Sequence, residues 1–174
     1  LKKCNAPLNV FYAYFCTKLR NLIFKKKIKY EKRKHKNFLK DKYITIDFFS
    51  SHAFNFSSIL RKFNSQLNYL EIGSYEGNSA LFVANNFLNS QISCVDNWVK
   101  TEEYEKNISF SDIEKNFDAN THKLSNIKKF KETSDVFFKK NNNNYEIIYI
   151  DGYHLGSQVY RDVKNSWKCL SNNG

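Results

Sequence analysis

Apolar residues recur along this chain in two rhythms, and the change between them divides it. Residues 8–24 are dominated by Leu, Val, Phe and Tyr, with Lys18 and Arg20 interrupting, which reads as a helix apolar over much of its surface. Residues 25–42 form a basic run with Ile28, Tyr30, Phe38 and Leu39 interleaved, the pattern of a solvated helix face or a loose tail. Residues 43–64 hold an aromatic cluster of Phe48, Phe49, Phe54 and Phe56, and a helix is predicted over 57–63.

From there the pattern alternates between short apolar runs and helical stretches. Asn68–Ile72 is a strand ending at a glycine, and residues 78–89 form a helix with Leu81, Phe82, Ala84, Phe87 and Leu88 for its buried face. Residues 91–95 are a second strand, closed by Asp96. A polar loop leads to a helix over 111–121, with Ser111 as N-cap and Glu114 completing a capping box. Residues 126–130 make a third strand, 133–140 a helix and 141–144 a surface loop. Residues 145–150 are apolar almost throughout, as for a strand buried on both faces. A last helix spans 155–170, and 171–174 is a turn. Strands separated by helices predict an α/β, doubly wound parallel sheet.

Charge sharpens the division. The net charge of +11 is the sum of a balance of +12 over residues 1–42 and −1 over 43–174. The first part is therefore read as a basic, partly helical extension, and 43–174 as one domain. The extension lies outside the strand–helix pattern and is expected to be dispensable for ligand binding. Abundant Lys, Asn, Ile, Phe and Tyr with little Gly or Pro also fit biased codon usage, which would inflate Lys without selection for a partner. No 18-residue uncharged apolar run and no secretory pattern occur. Cys4, Cys16, Cys94 and Cys169 are dispersed, with no CxxC pair, and are read as reduced thiols of a cytoplasmic protein. A chain that starts at Leu1 and stops at Gly174 in mid-pattern is expected to be a fragment, inactive as it stands.

Three strand ends carry the chemistry. In Leu70-Glu71-Ile72-Gly73-Ser74-Tyr75-Glu76-Gly77-Asn78-Ser79 a glycine-containing turn joins a strand to a helix start, where free N–H groups and a positive dipole end suit an anionic group. Its GxxxG spacing is not the GxGxxG of dinucleotide sites, and a purely structural turn is the alternative. Asp96 closes the second strand, 25 positions after Glu71, where an acid can accept from ribose hydroxyls; a loop carboxylate or cap is the rival reading. Asp151 ends the fourth strand in Asp151-Gly152-Tyr153-His154, facing the crevice of such a sheet, with His154 near enough to serve the same pocket. A structural Asp-Gly turn explains the first two residues but not the histidine.

Together these stretches resemble class I S-adenosylmethionine-dependent methyltransferases. LEIGSYEG is similar to the family's first motif, CVD to its second and YEIIYIDGYH to its strand-four motif. FSDIEKNFDANT followed by NIKKFKETSDVF resembles the branch that reads Asp-Gly-x-His, then a helix with spaced Val and Asp, then Leu-x-x-Gly-Gly. Asp151, Gly152, His154, Val159, Asp162, Leu170 and Gly174 match, and Asn173 replaces the first glycine of the final pair. The similarity covers residues 47–174, the first four strands of a Rossmann-like fold.

The resemblance implies S-adenosylmethionine as cofactor. Glu71, Gly73, Ser74, Tyr75 and Gly77 would shape its methionine end, Asp96 would hold the ribose, and the 133–135 turn with Ser134 would lie near the adenine. The Asp-Gly-x-His segment resembles that of metal-dependent sugar O-methyltransferases, which makes Asp151 a candidate Mg2+ ligand and catalytic residue and His154 a candidate base. The further metal ligands would be an acidic pair after a fifth strand. The expected activity is O-methylation of a sugar or small metabolite. An RNA methyltransferase anchored by the basic segment and a non-catalytic binding module are the alternatives, and contact of residues 8–42 with an anionic membrane surface is a further option.

Overall fold

The short apolar runs form one four-stranded, all-parallel sheet with strand order β3-β2-β1-β4. The computed structural model describes residues 8–63, 66–100, 109–172 and 174, with side chains described from Phe15 onward; Cys4 and Asn173 lie outside the described residues. In chain order the elements are α1 (Leu8–Ile23), α2 (Lys25–Phe38), a 3-10 turn (Leu39–Asp41), α3 (Ala53–Leu60), β1 (Asn68–Ile72), α4 (Asn78–Asn86), β2 (Gln91–Asp96), α5 (Phe110–Thr121), β3 (Ile127–Lys131), α6 (Ser134–Lys140), β4 (Ile147–Ile150) and α7 (Gly156–Lys168). This is the Rossmann-like α/β arrangement that the alternation predicts.

Successive strand residues point to opposite faces, so each strand feeds two cores. Tyr69, Ile92 and Cys94 face a cluster built with Ala53 and Leu60 of α3, Ala80, Phe82 and Val83 of α4, and Ile113 and Phe117 of α5. Leu70, Ile72 and Val95 face the other side, against Phe137 of α6 and Cys169 at the end of α7. Wholly buried side chains such as Leu70 and Leu81 each contribute about 1.5–3 kcal/mol. The pairing of Leu70 with Ser93 on one side and Ile148 on the other brings the carboxyl ends of β1, β2 and β4 to one rim.

Four local expectations shift. Helix α4 ends at Asn86, short of residue 89, and leaves Leu88 80% exposed. Helix α3 starts at Ala53 because Ala53, Phe54, Ser57 and Leu60 form its buried stripe, which draws part of the aromatic cluster into the helix. The capping box does not form: Ser109 occupies the N-cap position of α5, and Glu114 pairs instead with Lys129 at 2.8 Å and Lys131 at 2.7 Å on β3. Strand β4 is half-buried at all four positions, since among the described residues it lies at an edge of the sheet, beside β1.

The basic run is not a loose tail. One edge of α2 buries Glu31 and His35, and Leu39 follows in the 3-10 turn. The His35 ring meets Phe49 and Phe82 edge-on at 5.4 and 5.1 Å, and Glu31 pairs with Arg61 at 2.9 Å. The boundary read after Lys42 therefore runs through packed structure, and the expectation that residues 1–42 are dispensable meets a contrary geometry. No helix among the described residues is long and apolar enough to cross a membrane.

If α2 shares the core, Leu39→Ala, truncating a side chain only 9% exposed, should lower the unfolding free energy in urea by roughly 2–5 kcal/mol. A loss below about 0.5 kcal/mol, the size of an ordinary surface change, would mean that α2 rests loosely on the domain.

Candidate functional site

Where β1 ends, the chain makes a turn in which Gly73, Tyr75 and Gly77 all take positive φ, +87°, +50° and +83°. Gly73 is obligatory on packing grounds as well. A Cβ there would lie 2.3 Å from the Asp151 carbonyl oxygen and 2.5 Å from the Gly152 Cα. The turn is held from both neighbouring strands: the Gly73 N–H donates to Val95 at 2.8 Å, and the Asp151 N–H donates to Ile72 at 2.8 Å.

Asp96 secures the turn from β2. Its Oδ2 accepts the N–H groups of Ser74 at 2.9 Å and Tyr75 at 3.0 Å, and its Oδ1 accepts that of Trp98 at 2.8 Å. Burial raises the Asp96 pKa, against the opposing pull of these backbone donors. These N–H groups, with that of Asn97, replace the water that the carboxylate loses on burial. The Trp98 indole N–H donates to the Tyr75 carbonyl at 2.9 Å, which closes a ring of contacts between turn and strand end.

Glu71 lies beneath the turn, wholly buried, and lines neither of the cavities around it. Its Oε2 accepts the Tyr69 hydroxyl at 3.0 Å; its Oε1 has no hydrogen bond of good geometry, although the Ser74 and Ser79 hydroxyls lie near enough to ease its charge. Burial pushes this carboxyl up to about 7.

Residues that the strand–helix pattern did not single out tie the segment before β1 to this turn. Buried Glu76 accepts the Thr45 N–H at 2.7 Å, the Thr45 hydroxyl at 2.9 Å and the Asn116 amide at 2.8 Å. Asn78, first in α4, meets His35 Nε2 at 2.7 Å and donates to Asp47 at 3.1 Å. Through these bonds the 43–52 segment folds over the turn, setting Phe48 edge-on against Tyr75 at 5.7 Å. His52, at the start of α3, joins the site in the same way, from a position with no strand-end signature to announce it.

At the end of β4, Asp151 Oδ2 accepts the Tyr149 hydroxyl at 2.7 Å, and Oδ1 is 3.4 Å from His154 Nε2. Burial, with the neighbouring Asp151 carboxylate, raises the Tyr149 pKa and keeps its proton in place as donor.

Two cavities open along this rim. A smaller one of about 240 Å3 is lined by Asp96, Trp98, Thr133, Ser134 and Asp135. A larger one of about 710 Å3 is lined by Phe48, Phe49, His52, Tyr149 and His154. Gly73, Tyr75 and Asp151 line both. The structure thus brings Gly73, Ser74, Tyr75, Asp96, Ser134, Asp151 and His154 to the cavities, with Glu71 and Gly77 behind the turn. Ser134 also donates to buried Asp162 of α7 at 2.6 Å, which fixes it at the cavity edge.

The donor set does not by itself make a magnesium site. Among the described residues no three His, Cys, Asp or Glu side chains converge to hold a metal ion. Asp151 and His154 are two groups already engaged with Tyr149 and with each other, short of the oxygen shell that magnesium takes from carboxylates, substrate and water.

The fold has counterparts. Residues 70–174 match the family model of a methyltransferase domain. No curated protein sequence matches the chain. Precorrin-6y C5,15-methyltransferase from Geobacter metallireducens superposes with a TM-score of 0.56 at 13% identity, over 78% of this chain and 66% of that one. An rRNA methylase from Streptococcus thermophilus gives 0.53 at 8% identity, over 76% and 70%. MycE methyltransferase of the mycinamycin biosynthetic pathway, in complex with Mg, SAH and mycinamycin VI, gives 0.52 at 15% identity, over 74% and 34%. At such identities the likeness is one of fold, and the chain spans only about a third of MycE's length.

The buried Glu71 carboxyl makes a prediction of definite sign. Its folded pKa lies above the unfolded value of 4.5, so between pH 4.5 and about 7 the unfolded chain loses the proton more readily. Stability from this group falls through that window and is flat above it. Glu71→Gln should therefore gain on the wild type as pH rises from 4.5 to 8, by roughly 3 kcal/mol at the upper end in urea titrations. A wild-type-to-variant difference that ignores pH would contradict the assignment.

Proposed function

Because this chain belongs to the methyltransferase-domain family of class I S-adenosylmethionine-dependent enzymes, we propose that it methylates a hydroxyl oxygen of a sugar or other small metabolite. The observation that carries this reading is the pair of cavities with a common wall of Gly73, Tyr75 and Asp151. The cavity beside Asp96 and the 133–135 turn suits a nucleoside. The other, about 710 Å3 and walled by aromatic rings with an Asp–His pair, has the size and lining of a small-molecule site.

In this reading Asp96 accepts from the ribose, Ser134 and its neighbours flank the adenine, and the 73–77 backbone receives the methionine end. Bound S-adenosylmethionine supplies a sulfonium whose methyl carbon is electrophilic. A hydroxyl is a weak nucleophile until its proton is drawn off, and His154 takes that proton as the C–O bond forms and the S–CH3 bond breaks. Asp151, 3.4 Å from Nε2, steadies the imidazolium that results. Phe48 and Tyr75 offer flat apolar faces to the C–H side of a sugar ring.

Two substitutions should separate binding from chemistry. By calorimetry, Asp96→Ala should weaken S-adenosylmethionine by about 1.5–3 kcal/mol, the worth of a charge-assisted hydrogen bond. His154→Ala should leave that affinity unchanged and lower kcat by about 10²–10⁴-fold, measured on the smallest version of the chain that turns over. Tighter binding of NAD than of S-adenosylmethionine would overturn the cofactor assignment, and full turnover by His154→Ala would remove the base.

A further inference from the structure

From Phe15 onward, helix α1 turns apolar side chains to solvent. Its roll is fixed at the C-terminal end, where Arg20 donates to Asn55 at 2.7 Å and stands 5.0 Å over the Phe54 ring, and Phe24 packs on that ring at 5.6 Å. At 3.6 residues per turn, Phe15, Leu19 and Leu22 fall within about 60° of one another on the side opposite Arg20. They are 56%, 48% and 76% exposed, and Ile23 beside them is 66% exposed. A surface helix of a globular domain ordinarily buries such a stripe, and a contiguous exposed one marks a docking face.

The same side of the next helix carries charge. The Phe24 N–H donates to Arg20 and the Ile28 N–H to Phe24, both at 2.9 Å, so the helical register passes from α1 into α2. Lys26, Lys29 and Arg33 then follow Phe15, Leu19 and Leu22 on one outer face, while Glu31 and His35 turn inward. Eight of the fourteen α2 residues are Lys or Arg, and Glu31, its one acid, is spent on Arg61. Helix α2 thus carries a balance of +7 within the chain's net charge of +11.

We propose that α1 and α2 together dock on an anionic lipid bilayer, the α1 stripe entering the headgroup–acyl boundary and the α2 lysines pairing with lipid phosphates and carboxylates. The partner is argued from complementarity. A nucleic acid would satisfy the lysines but leave Phe15, Leu19 and Leu22 against water and phosphate. A second copy would cover the stripe but bring two strongly basic helices together. A bilayer surface satisfies both halves, and neither helix needs to cross it.

The test is co-sedimentation of the 174-residue chain with vesicles of phosphatidylcholine alone or mixed with phosphatidylserine. The chain should bind the mixed vesicles and not the neutral ones. Each of Lys26→Gln, Lys29→Gln and Arg33→Gln should weaken binding about fivefold. The double variant Leu19→Gln, Leu22→Gln should weaken it roughly tenfold or more. These positions are exposed, so circular dichroism and cofactor affinity should not change, which separates this face from the cavities. Failure to bind mixed vesicles would overturn the proposal. So would vesicle binding that the Leu19, Leu22 variant retains in full. RNA binding without vesicle binding would assign the face to nucleic acid, and a dimer lost in the leucine variant without vesicle binding would assign it to self-association.

Discussion

At the carboxyl ends of β1 and β4 two stretches of backbone touch without side chains between them. The missing Cβ of Gly73 leaves room for the Asp151 carbonyl, and Gly152 continues the contact. Neither strand could be drawn this close with any other residue at 73, because an added methyl would need to sit 2.3 Å from that oxygen. The positive φ at 73, 75 and 77 follows, since the chain must leave the sheet at once to start α4. Only then do Tyr75 and Asp151 stand at a wall common to two cavities, and on that shared wall the proposed transfer depends.

Buried acids then hold what the glycine permits. A carboxylate taken from water is costly unless N–H or O–H groups replace its hydration. Asp96 receives three backbone N–H groups from the turn and its own loop, and Glu76 receives three donors from Thr45 and Asn116. The cost of burial thus becomes specificity: each acid is tolerable only in the conformation that satisfies it. Glu71 is the exception, with one good donor and a pKa near 7, a strained charge beneath the turn. His35 joins the basic N-terminal helices to the same turn through Asn78, so helices outside the strand–helix pattern still bear on the site.

What could be read in advance was what leaves a local signature. Alternating apolar runs announced four strands, and a glycine or aspartate at the end of each of β1, β2 and β4 announced the rim, including Asp96, Asp151 and the 73–77 turn. The pairings of Thr45 with Glu76, of Asp47 with Asn78 and of His35 with Asn78, and the placing of His52, left none, because they arise from contacts between residues distant in sequence. The Ser111–Glu114 capping box failed for a related reason: the helix starts one residue earlier, and Glu114 pairs with Lys129 and Lys131 of β3. The basic character of α2 concealed its buried edge, since eight Lys and Arg in fourteen residues mask the spacing of Ile28, Glu31, His35 and Leu39.

The Gly73 contact is tested most directly by comparing S-adenosylmethionine affinity in Gly73→Ala and Gly152→Ala, each confirmed as folded. Both alanines lie at the same meeting of β1 and β4, but only the first would collide with backbone; a Cβ on Gly152 meets the Ile72 side chain at an ordinary 3.4 Å. Gly73→Ala should cost at least about tenfold in affinity, or 1.4 kcal/mol, while Gly152→Ala stays within about threefold of the wild type. Wild-type affinity in Gly73→Ala would contradict the dependence of the site on that contact.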